Sequence, residues 1–175
     1  LFGQTPFAMR LPSVLAGLAA VALVWLITRR WFDDRVALAS ATIFSVTVGH
    51  LWIARIGLQE SVLIALMLVA VWLFLEGIER LGRGSFGGAG RIAVAGAVFG
   101  LAFLAKYNAL ILAPMFATIA LVRLGRARGS LRRVVGPFAL AVLLFLAVAS
   151  PVIIYNIKLW QQFGHFDFQF SMLFG

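Results

Sequence analysis

Apolar runs of the length that crosses a bilayer, about 20 residues each, set the terms on which this chain can fold. They are separated by short clusters of arginine and aspartate, the clearest being Arg29-Arg30-Trp31-Phe32-Asp33-Asp34-Arg35. Soluble domains are about 45–50% apolar and about 25% charged. Here 63% of residues are hydrophobic and 12% are charged. A chain of 175 residues cannot hide that much apolar surface from water, so lipid is its solvent. The expected class is all-α: a polytopic integral membrane helical bundle with about six spans.

A helix rises about 1.5 Å per residue, so about 30 Å of hydrocarbon takes about 20 residues. The spans fall near residues 12–28, 36–54, 61–75, 92–105, 109–122 and 134–154. Residues 161–175 open an aromatic-rich segment expected to rest at the outer interface. The stretch from Ile92 to Val122 admits two readings. As one helix it would be about 46 Å long, too long without strong tilt. As a hairpin turning at Lys106-Tyr107-Asn108, each arm would be only about 21 Å.

Arginine placement decides between them. With a hairpin, Arg29, Arg30, Arg35, Arg80, Arg83, Arg91, Arg123, Arg126, Arg128, Arg132 and Arg133 share one side. Only Arg10, Arg55, Lys106 and Lys158 lie on the other. With a single helix, the five arginines of 123–133 change sides and the bias is lost. Positive charge concentrates in cytoplasmic loops, so the hairpin is preferred and the arginine side is cytoplasmic. Arms that short place the Lys106 turn below the outer surface. Irregular backbone at that depth requires protein or a water-filled cavity around it, so an outward-opening cavity is expected.

The formal charge of +9 therefore reads as topology and not as a nucleic-acid surface. There are no cysteines, which excludes disulfides, thiolate metal sites and a cysteine nucleophile. No phosphate-binding glycine loop, zinc-protease motif or nucleophile elbow occurs. The chain begins at Leu1 without a signal-peptide pattern and reads as an internal fragment.

Polar residues on the outer side come from several separate segments, and ionisable groups at membrane depth point to function. Lys106 either snorkels to the headgroups or holds a phosphate as a point charge. Arg55 and Glu60 either pair across a helix end, or meet an anionic ligand and a metal or acceptor group respectively. Arg10, just before Pro12, reads as an interfacial anchor or a further cation for the ligand. His50 reads chiefly as a helix-packing residue. Tyr107 and Asn156 lie on the same outer side. Gly96-x-x-x-Gly100 permits close helix approach, though such matches also arise by chance.

The order of these pieces resembles one family. Leu1-Phe2-Gly3 with Ala8-Met9-Arg10-Leu11-Pro12-Ser13 opens a span. His50-x-x-x-x-Arg55-x-x-x-x-Glu60 follows at an outer break. Gly100-Leu101-Ala102-Phe103-Leu104-Ala105-Lys106 comes next, with Pro114 after it. Ser150-Pro151, Tyr155-Asn156 and Phe168-Gln169-Phe170-Ser171 close the series. The chain resembles the C-type (GT-C) membrane glycosyltransferases of the dolichyl-phosphate-mannose–protein mannosyltransferase type, including bacterial enzymes that modify lipopolysaccharide or lipid A.

That resemblance implies transfer of a hexosyl or pentosyl group from a polyprenyl-phosphate-linked donor on the extracytoplasmic face. It implies a main catalytic acid in a first outer loop, upstream of Leu1, so activity is not expected of this fragment alone. Glu60 matches the second outer acid, where Asp is common, and is the residue that could hold a divalent metal. Lys106 matches the family lysine, with Ala105 in place of the usual Thr. Arg10, Arg55, Lys106, Tyr107 and Asn156 are the expected substrate-binding residues. The implied partners are the polyprenyl-phosphate sugar and membrane lipid, with the acceptor (lipid, glycan or protein) open and no nucleic acid. Arg-, Ala- and Gly-rich usage points to a bacterium, and the resemblance then implies its inner membrane with the active face outward. A transporter or flippase for a lipid-linked or anionic solute, or a non-catalytic degenerate copy, are the competing readings.

Overall fold

The computed structural model describes residues 5–57, 59–85, 87–126, 131–168 and 170–171. Leu1-Phe2-Gly3, Arg128 and Gln169 lie outside them. Every regular element among the described residues is helical. The order is α1 (Pro6–Thr28), α2 (Asp34–Val46), α3 (Val48–Ile56), α4 (Gln59–Gly82), α5 (Gly87–Ala105), a 3₁₀ turn (Tyr107–Ile111), α6 (Leu112–Arg126) and α7 (Leu131–Phe163). Four helices, Phe7–Thr28, Gln59–Gly82, Gly87–Ala105 and Val135–Phe163, are long and apolar enough to cross a membrane. The bent pair α2–α3 brings the number to five, and Tyr107–Val122 is a shorter apolar stretch. Leu15, Leu18, Ile43, Val142 and Leu143 leave their side chains exposed, as hydrocarbon-facing residues do. This is an integral membrane protein. Its chain divides into two compact units, Leu1–Trp72 and Leu73–Gly175.

In the first unit, α1 starts six residues ahead of the Pro12 expected from sequence. The Thr5 hydroxyl accepts the Ala8 N–H at 3.2 Å, and Pro6 occupies the first turn, where its missing N–H costs nothing. Asp33 caps α2 by accepting the Val36 N–H at 2.8 Å. The segment read as a single span over 36–54 is bent by 57° between α2 and α3. Thr47, at φ −61° and ψ 125°, leaves the helical region and breaks the ladder there. Thr42, Ser45 and Thr47 donate to the carbonyls of Leu38, Thr42 and Ile43, each at 2.8 Å. Such back-bonding competes with the helix ladder and bends it. Both helices pack on α1, with Ala20 of α1 and Ala37 and Ala41 of α2 buried.

In the second unit, the end of α4 meets the start of α5 through glycine. A β-carbon on Gly77 would lie 2.6 Å from Ile92 Cγ1, and one on Gly88 would lie 2.8 Å from Gly77 O. Glu76 fastens the same corner, accepting from Arg80 Nε at 2.9 Å and pairing with Arg91 Nε at 3.2 Å. α5 then packs along α7. A β-carbon on Gly96 would lie 2.7 Å from Ala141 Cα, and one on Gly100 would lie 2.8 Å from Val148 Cβ. Contacts therefore advance together, 96 with 141 and 100 with 148, so α5 and α7 run in the same direction. α6 lies between them in the chain and brings Phe116 back against Phe99, with ring centroids 5.7 Å apart. Phe116 also stacks on Phe74 at 4.3 Å, and Phe74 meets Phe138 edge-on. These rings, with Ala95 and Ala120, form the core.

Gly96→Ala is expected to cost about 2–3 kcal/mol, because the added carbon meets backbone that cannot rotate away. Gly90, whose β-carbon would meet nothing within 4 Å, serves as control. There alanine should be neutral or stabilising by up to about 1 kcal/mol. Equilibrium unfolding in mixed micelles reads both.

Candidate functional site

The residues proposed from sequence fall into two constellations, one in each unit. In the first, α3 ends at Gly57, which adopts φ 72°. A side chain there would be strained, and its β-carbon would lie 3.3 Å from Met9 O and 3.7 Å from Arg10 Cγ. The α3–α4 turn thus sits against the first turns of α1, and Arg10 and Arg55 share one corner. Both are exposed. Glu60 stands in the first turn of α4, with its Oε2 sealed from solvent. A groove of about 280 Å³ runs beside this corner, lined by Val14, Leu18, Val21, Ala54, His50 and Arg55 among others. Gly17 forms its floor, since a β-carbon there would lie 3.0 Å from Ala54 Cβ. His50 packs: its ring tilts over Phe44 at 4.3 Å. The groove is apolar along its length, with Ser45, His50 and Arg55 as its polar members.

The second constellation forms where α5 stops. Lys106 takes an extended conformation, φ −163° and ψ 136°, and caps the 3₁₀ turn. Its carbonyl accepts the Ala109 N–H at 3.1 Å. Tyr107 is buried, held by Phe103 at 5.3 Å and edge-on by Phe170 at 5.6 Å. Asn156, 1% exposed, projects from α7 into the same place. Its Nδ2 donates to Val152 O at 3.1 Å and, in a longer hydrogen bond of 3.4 Å, to the Tyr107 hydroxyl. Its Oδ1 accepts the Asp167 N–H at 3.0 Å.

α7 extends to Phe163, well past the end expected at residue 154, because Tyr155 to Phe163 carries no helix breaker. Gly164, at φ 71°, stops it. The following segment turns back: Phe166 stacks on Trp160 at 4.6 Å, and the Ser171 N–H donates to Asp167 O at 2.8 Å. Tyr155 and Lys158 are exposed on α7, and Asn108 is exposed on the turn.

Structure thus joins Arg10 with Arg55, and Tyr107 with Asn156. Sequence reasoning missed the groove floor at Gly17 and the role of the Asp167 backbone. Neither had a local signal beyond the glycine at 17 and the helix-stopping glycine at 164. A divalent ion at Glu60 would need further ligands, and no three His, Asp or Glu side chains converge among the described residues.

An all-helical polytopic membrane protein with basic and polar residues gathered at helix breaks is the class this geometry defines. The chain belongs to the dolichyl-phosphate-mannose-protein mannosyltransferase family, whose family model matches residues 1–155. It is similar to the undecaprenyl phosphate-alpha-4-amino-4-deoxy-L-arabinose arabinosyl transferase of Pseudomonas paraeruginosa, 32% identical over 154 residues. That match covers 86% of this chain and 27% of the relative. The protein of the same name in Pseudomonas aeruginosa is 35% identical over 86 residues, covering 47% of this chain and 16% of the relative. A second such transferase, from Pseudomonas fluorescens, is 35% identical over 80 residues, covering 43% and 14%. The chain therefore spans little more than a quarter of the relative it matches most extensively here. No solved structure matches.

Gly57→Ala is expected to destabilise the Arg10–Arg55 corner by about 1–2 kcal/mol, the cost of a left-handed residue with a side chain. A lowered unfolding midpoint in detergent, with accelerated hydrogen exchange confined to α3 and the start of α1, is the expected signature.

Proposed function

We propose that this chain is part of a membrane glycosyltransferase that moves a sugar from a polyprenyl-phosphate donor to an acceptor on the extracytoplasmic face of a bacterial inner membrane. The family match over residues 1–155 carries the reading. The relatives' names supply the donor class, an undecaprenyl phosphate-linked amino-pentose. In this reaction the acceptor hydroxyl oxygen bonds to the sugar's anomeric carbon. The bond from that carbon to the phosphate oxygen breaks, and the polyprenyl phosphate leaves with the electron pair. A carboxylate takes the acceptor's proton as general base; its expected place is an outer loop preceding Leu1 in the longer protein.

In the first unit, the apolar groove suits isoprenoid carbons, and Arg55 with Arg10 provides cations at its end for an anionic headgroup. Glu60 is the second acid, placed to hold the acceptor or to contribute one ligand to a divalent metal. In the second, Lys106 is the point charge that stabilises the phosphate as negative charge develops on the leaving oxygen. Tyr107 and Asn156 complete the substrate-binding set at that turn.

In the full-length protein, Lys106→Ala and Arg55→Ala are each expected to lower kcat/KM for the polyprenyl-phosphate sugar by about 10- to 100-fold, the loss of one charged hydrogen bond. Radiolabelled donor turnover in detergent or liposomes measures this. Unchanged kinetics in both variants would sink the reading.

A further inference from the structure

Among the described residues, Asn156 and Ile92 are the two largest side chains fully removed from solvent, yet Tyr155 and Ile157, the neighbours of Asn156, are exposed on the same helix. Burying an amide costs free energy unless it is hydrogen-bonded, and a leucine would fill the space without that cost. The amide here is bonded at both ends, and its orientation is determined. Val152 O can only accept, and the Asp167 N–H can only donate. Flipping the amide would set oxygen against oxygen and N–H against N–H, so its partners fix its orientation.

A consequence follows for Tyr107. Nδ2 faces its hydroxyl, so the phenolic oxygen is the acceptor in that bond. A phenol has a single proton to donate. Among the described residues no acceptor takes that proton, although Tyr107 is only 8% exposed. The ring is fixed by Phe103 and Phe170, which leaves only the O–H rotor to set. Lys106 directly precedes Tyr107 in the chain.

We infer that Asn156 is a positioning residue: it occupies the acceptor side of the Tyr107 hydroxyl and so presents the phenolic proton, beside Lys106, as a hydrogen-bond donor to a phosphate oxygen of a lipid-linked ligand. The same amide ties the segment after α7 to the turn through the Asp167 N–H. The inference rests on the reading above that this turn meets the donor's phosphate. It goes further in assigning Asn156 an action through Tyr107 and not through contact with the ligand.

The test is equilibrium binding of undecaprenyl phosphate to the detergent-solubilised full-length protein. Tyr107→Phe keeps the ring and its aromatic contacts and should weaken binding about tenfold, the loss of one hydrogen bond to a charged acceptor. Asn156→Asp keeps an acceptor for the Asp167 N–H but turns an acceptor toward the phenol, recapturing its proton; it should weaken binding by a similar factor. The double variant should be no weaker than either single one, the coupling expected if both remove one interaction. A purely structural Asn156 would give losses that multiply. Binding unchanged in Tyr107→Phe, or multiplying losses, overturns the inference while wild-type affinity upholds the donor reading. Absence of wild-type affinity overturns both. Should Asn156→Asp fail to fold, Tyr107→Phe against wild type still decides, since unchanged binding there leaves no donor for Asn156 to position.

Discussion

Backbone against backbone at Gly96 and Gly100 is the contact on which the second unit is built. Lipid tails are as apolar as leucine, so helices in a membrane gain little by hiding apolar surface from one another. They associate through close packing and polar contacts instead. At these two glycines α5 and α7 approach with no side chain between Gly96 and Ala141. Everything at the Lys106 turn inherits its position from that seam. Six residues on from Gly100, about 9 Å of helix, stands Lys106, and eight on from Val148, about 12 Å, stands Asn156. Because the helices are parallel, both chains arrive at the same end, and the Tyr107–Asn156 bond closes there.

The sequence showed the helical, membrane-embedded class plainly, since apolar runs separated by arginine clusters allow little else. It also marked Lys106-Tyr107-Asn108 as the place where an apolar stretch is interrupted, and α5 does give way there. Three features were hidden, for different physical reasons. The bend lies at Thr47, whose extended backbone breaks the helix beside three hydroxyls that bond back onto it, and such residues sit equally well in straight helices. The glycine pair at 96 and 100 has a spacing that chance also produces, and only the partner helix gives it meaning. The return of the chain after Gly164 is tied by the buried Asn156 amide, eleven residues before Asp167, a relation no local pattern can carry. Among the site residues, chemistry singled out Arg10, Arg55, Tyr107 and Asn156, but their pairing was not visible until the helices were placed.

Charge is used in two ways along the chain. At the arginine-rich ends, local carboxylates take up the cations: Arg29 with Asp34 at 2.6 Å, Arg80 and Arg91 with Glu76. The first pair is largely exposed and contributes little. The Glu76 cluster is mostly shielded and ties α4 to α5 where Gly77 and Gly88 already bring them together. Arg10 and Arg55, by contrast, stand exposed at a corner that a left-handed glycine holds in shape.

Seams without side chains have a mechanical property that interdigitated ones lack. Leucines facing each other can change rotamer and let two helices slide by fractions of a turn, whereas a carbonyl resting on a glycine α-carbon has no such slack. At Gly96 the register of α5 on α7 is therefore set by backbone, and Val148 and the Phe99–Phe145 stack carry the seam on from there. That fixed register is what lets the Asn156 amide and the Tyr107 hydroxyl, beyond the seam, come within hydrogen-bond reach of each other.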